Sequence, residues 1–270
     1  MNFVLSWRVS RLFSFKEIVT CICIIINTNI NTILYISIMI DLKVFKNRHV
    51  GEDIYILASG KSVDFIDKSF FQNKIIIGVN QAYKKCVCKY LLRKEAKYMN
   101  EVINANDKKT IHFVSEGDCG STDTQNKKNT QNALNKVDTS NVVLYPHNKN
   151  MSGTPITSLP QDDMLTVSHS TITTAIHLAA YMGAKNIILV GHDCGTINGE
   201  CNFKGYHNNE TYKIAHAKGK DDYVLWLKKI EDNTIRLKKL LIEKYGCNIY
   251  SLNPFINFNL EGNVYENDYN

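Results

Sequence analysis

No block of lysine and arginine interleaved with aromatics occurs anywhere in the sequence. The formal charge of +6 is spread among 26 acidic residues, which suits an anionic small molecule and argues against nucleic acid as a partner. A disulfide framework is missing as well: eight cysteines fall at irregular spacing, and 270 residues can bury a core without staples. That pattern fits a reduced, cytoplasmic setting. Neither Cys21-x-Cys23 nor Cys86-x-Cys88 has a second pair at zinc-ribbon distance, so a structural zinc is not expected. No repeat of fixed period is visible, and no obvious nucleophile–base pair. What remains is a composition, 44% apolar and 21% charged, that belongs to folded globular chains and not to disordered ones.

Residues 1–38 stand apart from the rest. Residues 18–40 (IVTCICIIINTNINTILYISIMI) carry no charge and follow Arg8, Arg11 and Lys16, as a signal-anchor helix would. Against an anchor, Asn27, Asn29 and Asn31 would lie unpaired in lipid. No small-residue cleavage site follows the apolar run, which disfavours a cleaved signal peptide. Met39 opens an ordinary start whose basic lead runs into a strand. An over-extended start, a membrane anchor and a soluble extra segment are all open at this point, and a membrane is a partner only in the second case.

Residues 39–270 are expected to form one α/β domain, Rossmann-like, with a mostly parallel sheet and helices on both faces. Apolar runs without alternation occur at 53–58 (DIYILA), 74–79 (KIIIGV), 86–92 (CVCKYLL) and 186–190 (NIILV), with weaker candidates at 110–114, 142–145 and 249–252. Ser170-Thr171 can cap a helix to Met182 with Ile172, Ala175, Ile176 and Ala179 on one face and Gly183 beyond its end. A long amphipathic helix is expected at 222–244. Glu116–Ser140, polar and rich in Asn, Thr, Lys and Gln, suggests a mobile surface insertion.

In such a sheet, ligands bind outside the carboxyl ends of the strands, where the strand order reverses. Three polar clusters fall at strand ends: Ser59-Gly60-Lys61-Ser62, Asn80-Gln81 and His192-Asp193. A glycine there lets backbone donors approach a phosphate, and Lys61 and Ser62 can add more. Gly60-Lys61-Ser62 imitates the end of a Walker A loop, but Tyr55 stands where that loop needs its first glycine. Asn80 and Gln81 could bond a base or ribose, Asp193 ribose hydroxyls or a metal. His192 could act as an acid/base, and His207 and His216, with Tyr206 and Tyr212, fall in the loop-like region that follows.

The strings Ile56-Leu57-Ala58-Ser59-Gly60-Lys61-Ser62, Gly78-Val79-Asn80-Gln81 and Thr173-Thr174-Ala175 through Gly191-His192-Asp193 resemble the MptE-like family, named for an archaeal 6-hydroxymethylpterin diphosphokinase. More faintly, they resemble the bacterial CMP-sialic acid-dependent sialyltransferases. The resemblance spans residues 43–262 and implies a nucleotide-dependent transferase that moves a diphosphate or a glycosyl group from a nucleotide-linked donor. It carries nucleotide binding over to Ser59, Gly60, Ser62, Asn80 and Asp193, although Lys61 stands where the family usually has proline; by their places at the strand ends and in the loop that follows, Lys61 and Gln81 join the nucleotide site and His192 and His207 are the candidate catalytic groups. Diphosphate transfer would need Mg²⁺, with Asp193 or Glu95 as ligands; sialyl transfer need not. The sialyltransferases carry tyrosines shortly after the Gly-x-Asp motif, where this chain has Gly195 and Thr196; its nearest tyrosine is Tyr206. A non-catalytic nucleotide-binding module and an interaction protein with a decayed site are the alternatives.

Overall fold

The computed structural model describes residues 39–96, 99, 101, 109–117, 121–148, 155–161, 163–198, 200–206 and 220–252. The segment 1–38 and its possible anchor lie outside them. Seven strands, β1 (Asp53–Leu57), β2 (Ile75–Val79), β3 (Tyr90–Arg93), β4 (Ile111–Ser115), β5 (Val142–Tyr145), β6 (Asn186–Val190) and β7 (Asn248–Leu252), form one sheet. Every pair is parallel, and the order is β5-β4-β3-β2-β1-β6-β7. The chain steps outward from β1 to β5, then crosses back to place β6 on the other side of β1. The strand order therefore reverses between β1 and β6, and a crevice opens at their carboxyl ends. This is a Rossmann-like α/β fold.

Both faces of the sheet are buried, which is why its strands show as unbroken apolar runs. On one face Ile54, Ile56, Ile77, Leu92, Phe113 and Ile187 join the main core. That core is closed by α2 (Thr171–Tyr181) and α3 (Lys220–Tyr245). The other face is covered differently from the expectation of helices. Leu57, Ile76, Leu91 and Val190 pack under short 3-10 turns at Lys61–Phe65, Lys68–Phe71 and Ala82–Lys84 and under Phe203 and Tyr206. Towards β4 and β5 an α-helix does provide the cover: Leu134 of α1 (Thr124–Leu134) packs on Val114 and Val142.

That helix corrects the expected mobile insertion at 116–140. Asp123 caps it by accepting the Asn126 N–H at 2.8 Å. Buried Thr130 and Leu134, four apart, form its inner stripe, and Gln125–Asn129 and Gln131–Asn135 amide bonds run along its outer side. A stripe this narrow leaves a polar composition. The third strand also starts later than its apolar run: Cys86–Lys89 is turn and loop, and pairing with β2 and β4 begins at Tyr90 and takes in Arg93. Helix α2 is buried on all sides, beyond the one apolar face its spacing showed. Its polar His177 is absorbed by accepting the Thr166 N–H at 2.9 Å and donating to the Tyr245 hydroxyl at 3.1 Å. Cys86, Cys88, Cys194, Cys201 and Cys247 take no part in disulfides. Among the described residues no helix is long and apolar enough to cross a membrane.

Candidate functional site

The crevice between β1 and β6 holds a cavity of about 150 Å³. Ser59 and Gly60 after β1, Asn80 after β2, and Gly191, His192, Asp193 and Cys194 after β6 line it, facing Ser170 and Ile172 of α2 and Trp226 and Ile230 of α3. Residues from three strand ends, more than 130 positions apart in sequence, thus share one cleft.

The floor of the cleft is a tight junction between two turns. The Gly60 N–H donates to the Gly191 carbonyl at 2.7 Å. Ser62 donates twice to the Asp193 carboxylate, from its backbone N–H at 2.7 Å and from its hydroxyl. Ser62 and Asp193 are both buried, and burial raises the Asp193 carboxyl above the usual range, partly offset by the two Ser62 donors. A Cβ on Gly60 would lie 2.3 Å from the Gly191 oxygen and 2.5 Å from Asp193 Cγ. Gly60 has φ −59°, so it is glycine for this close approach and not for a left-handed turn. Gly191 needs both: its φ is +71°, and a Cβ would meet Val63 at 2.2 Å.

These bonds alter several expected roles. The N–H groups of Gly60 and Ser62 are committed to Gly191 and Asp193, not held open for a phosphate. Both carboxylate oxygens of Asp193 accept from Ser62, so the carboxylate clamps the two turns together. Glu95 lies outside the cleft wall, close enough to Arg93 to influence its charge. Among the described residues no three His, Cys, Asp or Glu side chains gather in one place. Lys61 turns away from the cleft into ion pairs with Asp64 at 3.0 Å and with Glu200, where it lines a neighbouring cavity of about 400 Å³.

His192 lines the cleft with its ring held by a hydroxyl of α3. The Thr234 hydroxyl donates to the Ile230 carbonyl at 3.0 Å, so it accepts from His192 Nε2–H at 2.8 Å. Burial pushes this imidazole down to about 3, and it stays neutral through the physiological range. His207, His216 and Tyr212 lie outside the described residues.

Tyr206 and Arg93 complete the site. The buried Tyr206 phenol meets the side chains of Asn80 and Ser59 and the Gln81 N–H, which partly offset the upward push of burial on its pKa. Gln81 therefore takes part through its backbone, and its side chain is not in the wall. Asn80 adopts φ +54°, a conformation asparagine tolerates, and its carbonyl accepts from Arg93 Nη2 at 3.0 Å. Arg93 is buried at the end of β3, within electrostatic reach of Tyr206. The buried guanidinium gives this end of the cleft a positive field, with the Asn80, Ser59 and Gln81 donors gathered on the Tyr206 oxygen. The sequence held a partial signal for both residues: Arg93 closes an apolar run, and Tyr206 is the first tyrosine after β6. Nothing local marks Trp226, which α3 brings in from far along the chain.

No family model and no curated protein matches the sequence, so the resemblance to the MptE-like family gains no support there. Solved structures similar to the chain include the sialyltransferase CstII from Campylobacter jejuni in complex with the substrate analogue CMP-3FNeuAc, 15% identical with a TM-score of 0.44 over 79% of this chain and 88% of that one. The monofunctional α-2,3-sialyltransferase Cst-I from Campylobacter jejuni is likewise 15% identical, with a TM-score of 0.44 over 80% of this chain and 82% of that one. A superposition this loose says nothing of substrate or reaction; the chemistry of the cleft rests on its own geometry.

Proposed function

We propose that the chain is a transferase that cleaves a nucleotide-linked glycosyl donor in the β1/β6 crevice. One observation carries this reading: Ser59, Asn80 and Tyr206 meet in the cleft wall where the strand order reverses, with the buried Arg93 bonded to the Asn80 carbonyl. In the reaction the bond from the sugar's anomeric carbon to the phosphate oxygen breaks, and its electron pair stays on the nucleotide. An acceptor hydroxyl forms the new bond to that carbon, and its proton passes to the departing phosphate or to solvent. The charge that develops on the departing phosphate falls where the Tyr206 phenol, kept protonated by burial, and the Arg93 charge can meet it. The Asn80 amide and Ser59 hydroxyl supply orientation. Asp193, committed to Ser62, favours this chemistry over a Mg²⁺-dependent diphosphate transfer.

The test is release of nucleotide from CMP-, UDP- and GDP-linked sugars, followed by chromatography with and without glycan acceptors. One donor class is expected to be consumed. Tyr206→Phe, which removes only the phenolic hydroxyl, is expected to slow that reaction at least tenfold, about 1.4 kcal/mol of transition-state stabilisation. Turnover of no donor, or a Tyr206→Phe variant as fast as the parent, would overturn the reading.

A further inference from the structure

The Cys86-x-Cys88 pair has no task in the account above. Its setting in sequence is basic, Lys84-Lys85-Cys86-Val87-Cys88-Lys89. In the loop between β2 and β3 the side chains alternate: Val87 is 72% exposed, whereas Cys86 is half-buried and Cys88 is 1% exposed. Both thiols therefore lie on the inner side of one loop. Cα atoms two residues apart stand at most about 7 Å from each other, and closer where the chain bends, as it does at Cys86. That is within the span of roughly 4.4–6.8 Å that a disulfide bridges. Cys88 Sγ stands 3.5 Å from the Cys86 carbonyl oxygen, and the two sulfurs are close enough to share a proton.

The loop holds the pair in place. The Thr110 hydroxyl donates to the Cys88 carbonyl at 2.9 Å, and Lys84 Nζ donates to the Tyr206 carbonyl at 3.0 Å. The Cys88 sulfur fills the niche left by Gly78 of β2, where a Cβ would lie 2.6 Å from it. The two thiols are also unequal. The bond from Cys88 holds Cys86 below the usual thiol range against the opposing effect of burial, and Lys85 adds to it. The same bond and burial raise Cys88, which keeps its proton. One sulfur is thus reachable and inclined to the thiolate, and its neighbour is buried and protonated. Those are the attributes of an attacking and a resolving thiol.

We propose that Cys86 and Cys88 are a redox-active dithiol that exchanges with low-molecular-weight disulfides of the glutathione class. The Cys86 thiolate attacks one sulfur of the disulfide, the S–S bond breaks, and one glutathione leaves as thiolate and takes up a proton. Cys88 then attacks the Cys86 sulfur of the mixed disulfide and expels the second glutathione, which receives the Cys88 proton directly or through solvent. The dithiol loses two electrons, and the glutathione disulfide gains them as two thiols. This site is separate from the cleft, and the transferase reading does not depend on it.

The test exposes the full chain, reduced and freed of reductant, to oxidised glutathione, followed by N-ethylmaleimide and trypsin. Cleavage after Lys85 and Lys89 releases residues 86–89, which hold both thiols and no other cysteine. Mass spectrometry should find this peptide as its internal disulfide at least about tenfold sooner than glutathione accumulates on Cys194 or Cys201. Dithiothreitol should return it to the dithiol. Cys88→Ala should stop at a lasting mixed disulfide on Cys86, and Cys86→Ser should leave the buried Cys88 unmodified. In concentrated urea the lead of Cys86 over Cys201 should shrink severalfold, because the fold creates it. A parent protein that forms no internal disulfide, or a Cys86 no faster than Cys201, would overturn the proposal. So would an equal lead in urea, or a Cys86→Ser variant whose Cys88 reacts as fast as Cys86 does in the parent.

Discussion

Gly60→Ala is expected to lower the free energy of unfolding by about 2 kcal/mol, in the range typical of an overpacked site. The added methyl would stand 2.3 Å from a backbone oxygen and 2.5 Å from a buried carboxylate carbon, and neither can move without opening the junction between the turns after β1 and β6. Because Asp193 must shift, both Ser62 bonds weaken with it. Asp193→Asn, by contrast, is expected to change stability by less than about 1 kcal/mol: its amide oxygen can take the Ser62 N–H, and its NH₂ can donate to the Ser62 hydroxyl. Urea unfolding of the two variants checks the pair. The same two variants separate a clamp from a metal ligand, since a clamp predicts that Asp193→Asn keeps nucleotide affinity in the presence and absence of Mg²⁺.

A second large effect is expected from acid. His112, His177 and His192 are buried, and burial holds their rings down to about 4, 3 and 3. In the unfolded chain each takes up a proton near pH 6.5, so below that pH the unfolded state binds more protons than the folded one. The stability from this source is complete above pH 6.5 and is lost progressively as the pH falls towards 4 and 3. Each ring accounts for about 1.4 kcal/mol by pH 5.5, so the three together remove roughly 4 kcal/mol relative to pH 8. That is a large part of a typical domain's stability. Asp193 acts in the opposite sense, because a raised carboxyl favours the folded state as the pH falls. Urea midpoints measured from pH 8 to pH 5 should drop steeply below 6.5, and the slope should be shallower in His177→Gln. A flat profile would mean that these rings are not held neutral.

The parts of this molecule that were legible in the sequence are those where local pattern and burial coincide. β1, β2 and β6 are apolar on both faces and end in polar turns, so their existence, their parallel pairing and the clustering of Ser59, Asn80 and His192 could be inferred before any coordinates. Helix α1 was not legible, because two buried residues in eleven leave a polar composition that looks like loop. The start of β3 was missed since Cys86-Val87-Cys88 continues an apolar run while Val87 is in fact exposed. Within the site, residue types were legible and their bonds were not. Ser62, Asp193 and Gly60 are polar or small as a phosphate loop requires, yet they serve one another across 131 positions, and only tertiary pairing reveals that. In the proposed reaction Tyr206 takes their place in meeting the phosphate, with the charge of Arg93 behind it.

Calorimetric titration of nucleoside monophosphates against their nucleosides tests the central claim most directly, because it isolates the phosphate. In the parent protein at least one monophosphate among CMP, UMP, GMP and AMP should bind ten times or more tighter than its nucleoside, about 1.4 kcal/mol, and Tyr206→Phe should lose most of that difference while still binding the nucleoside. Equal affinity for nucleotide and nucleoside in the parent, or a phosphate preference that survives Tyr206→Phe unchanged, would contradict the account.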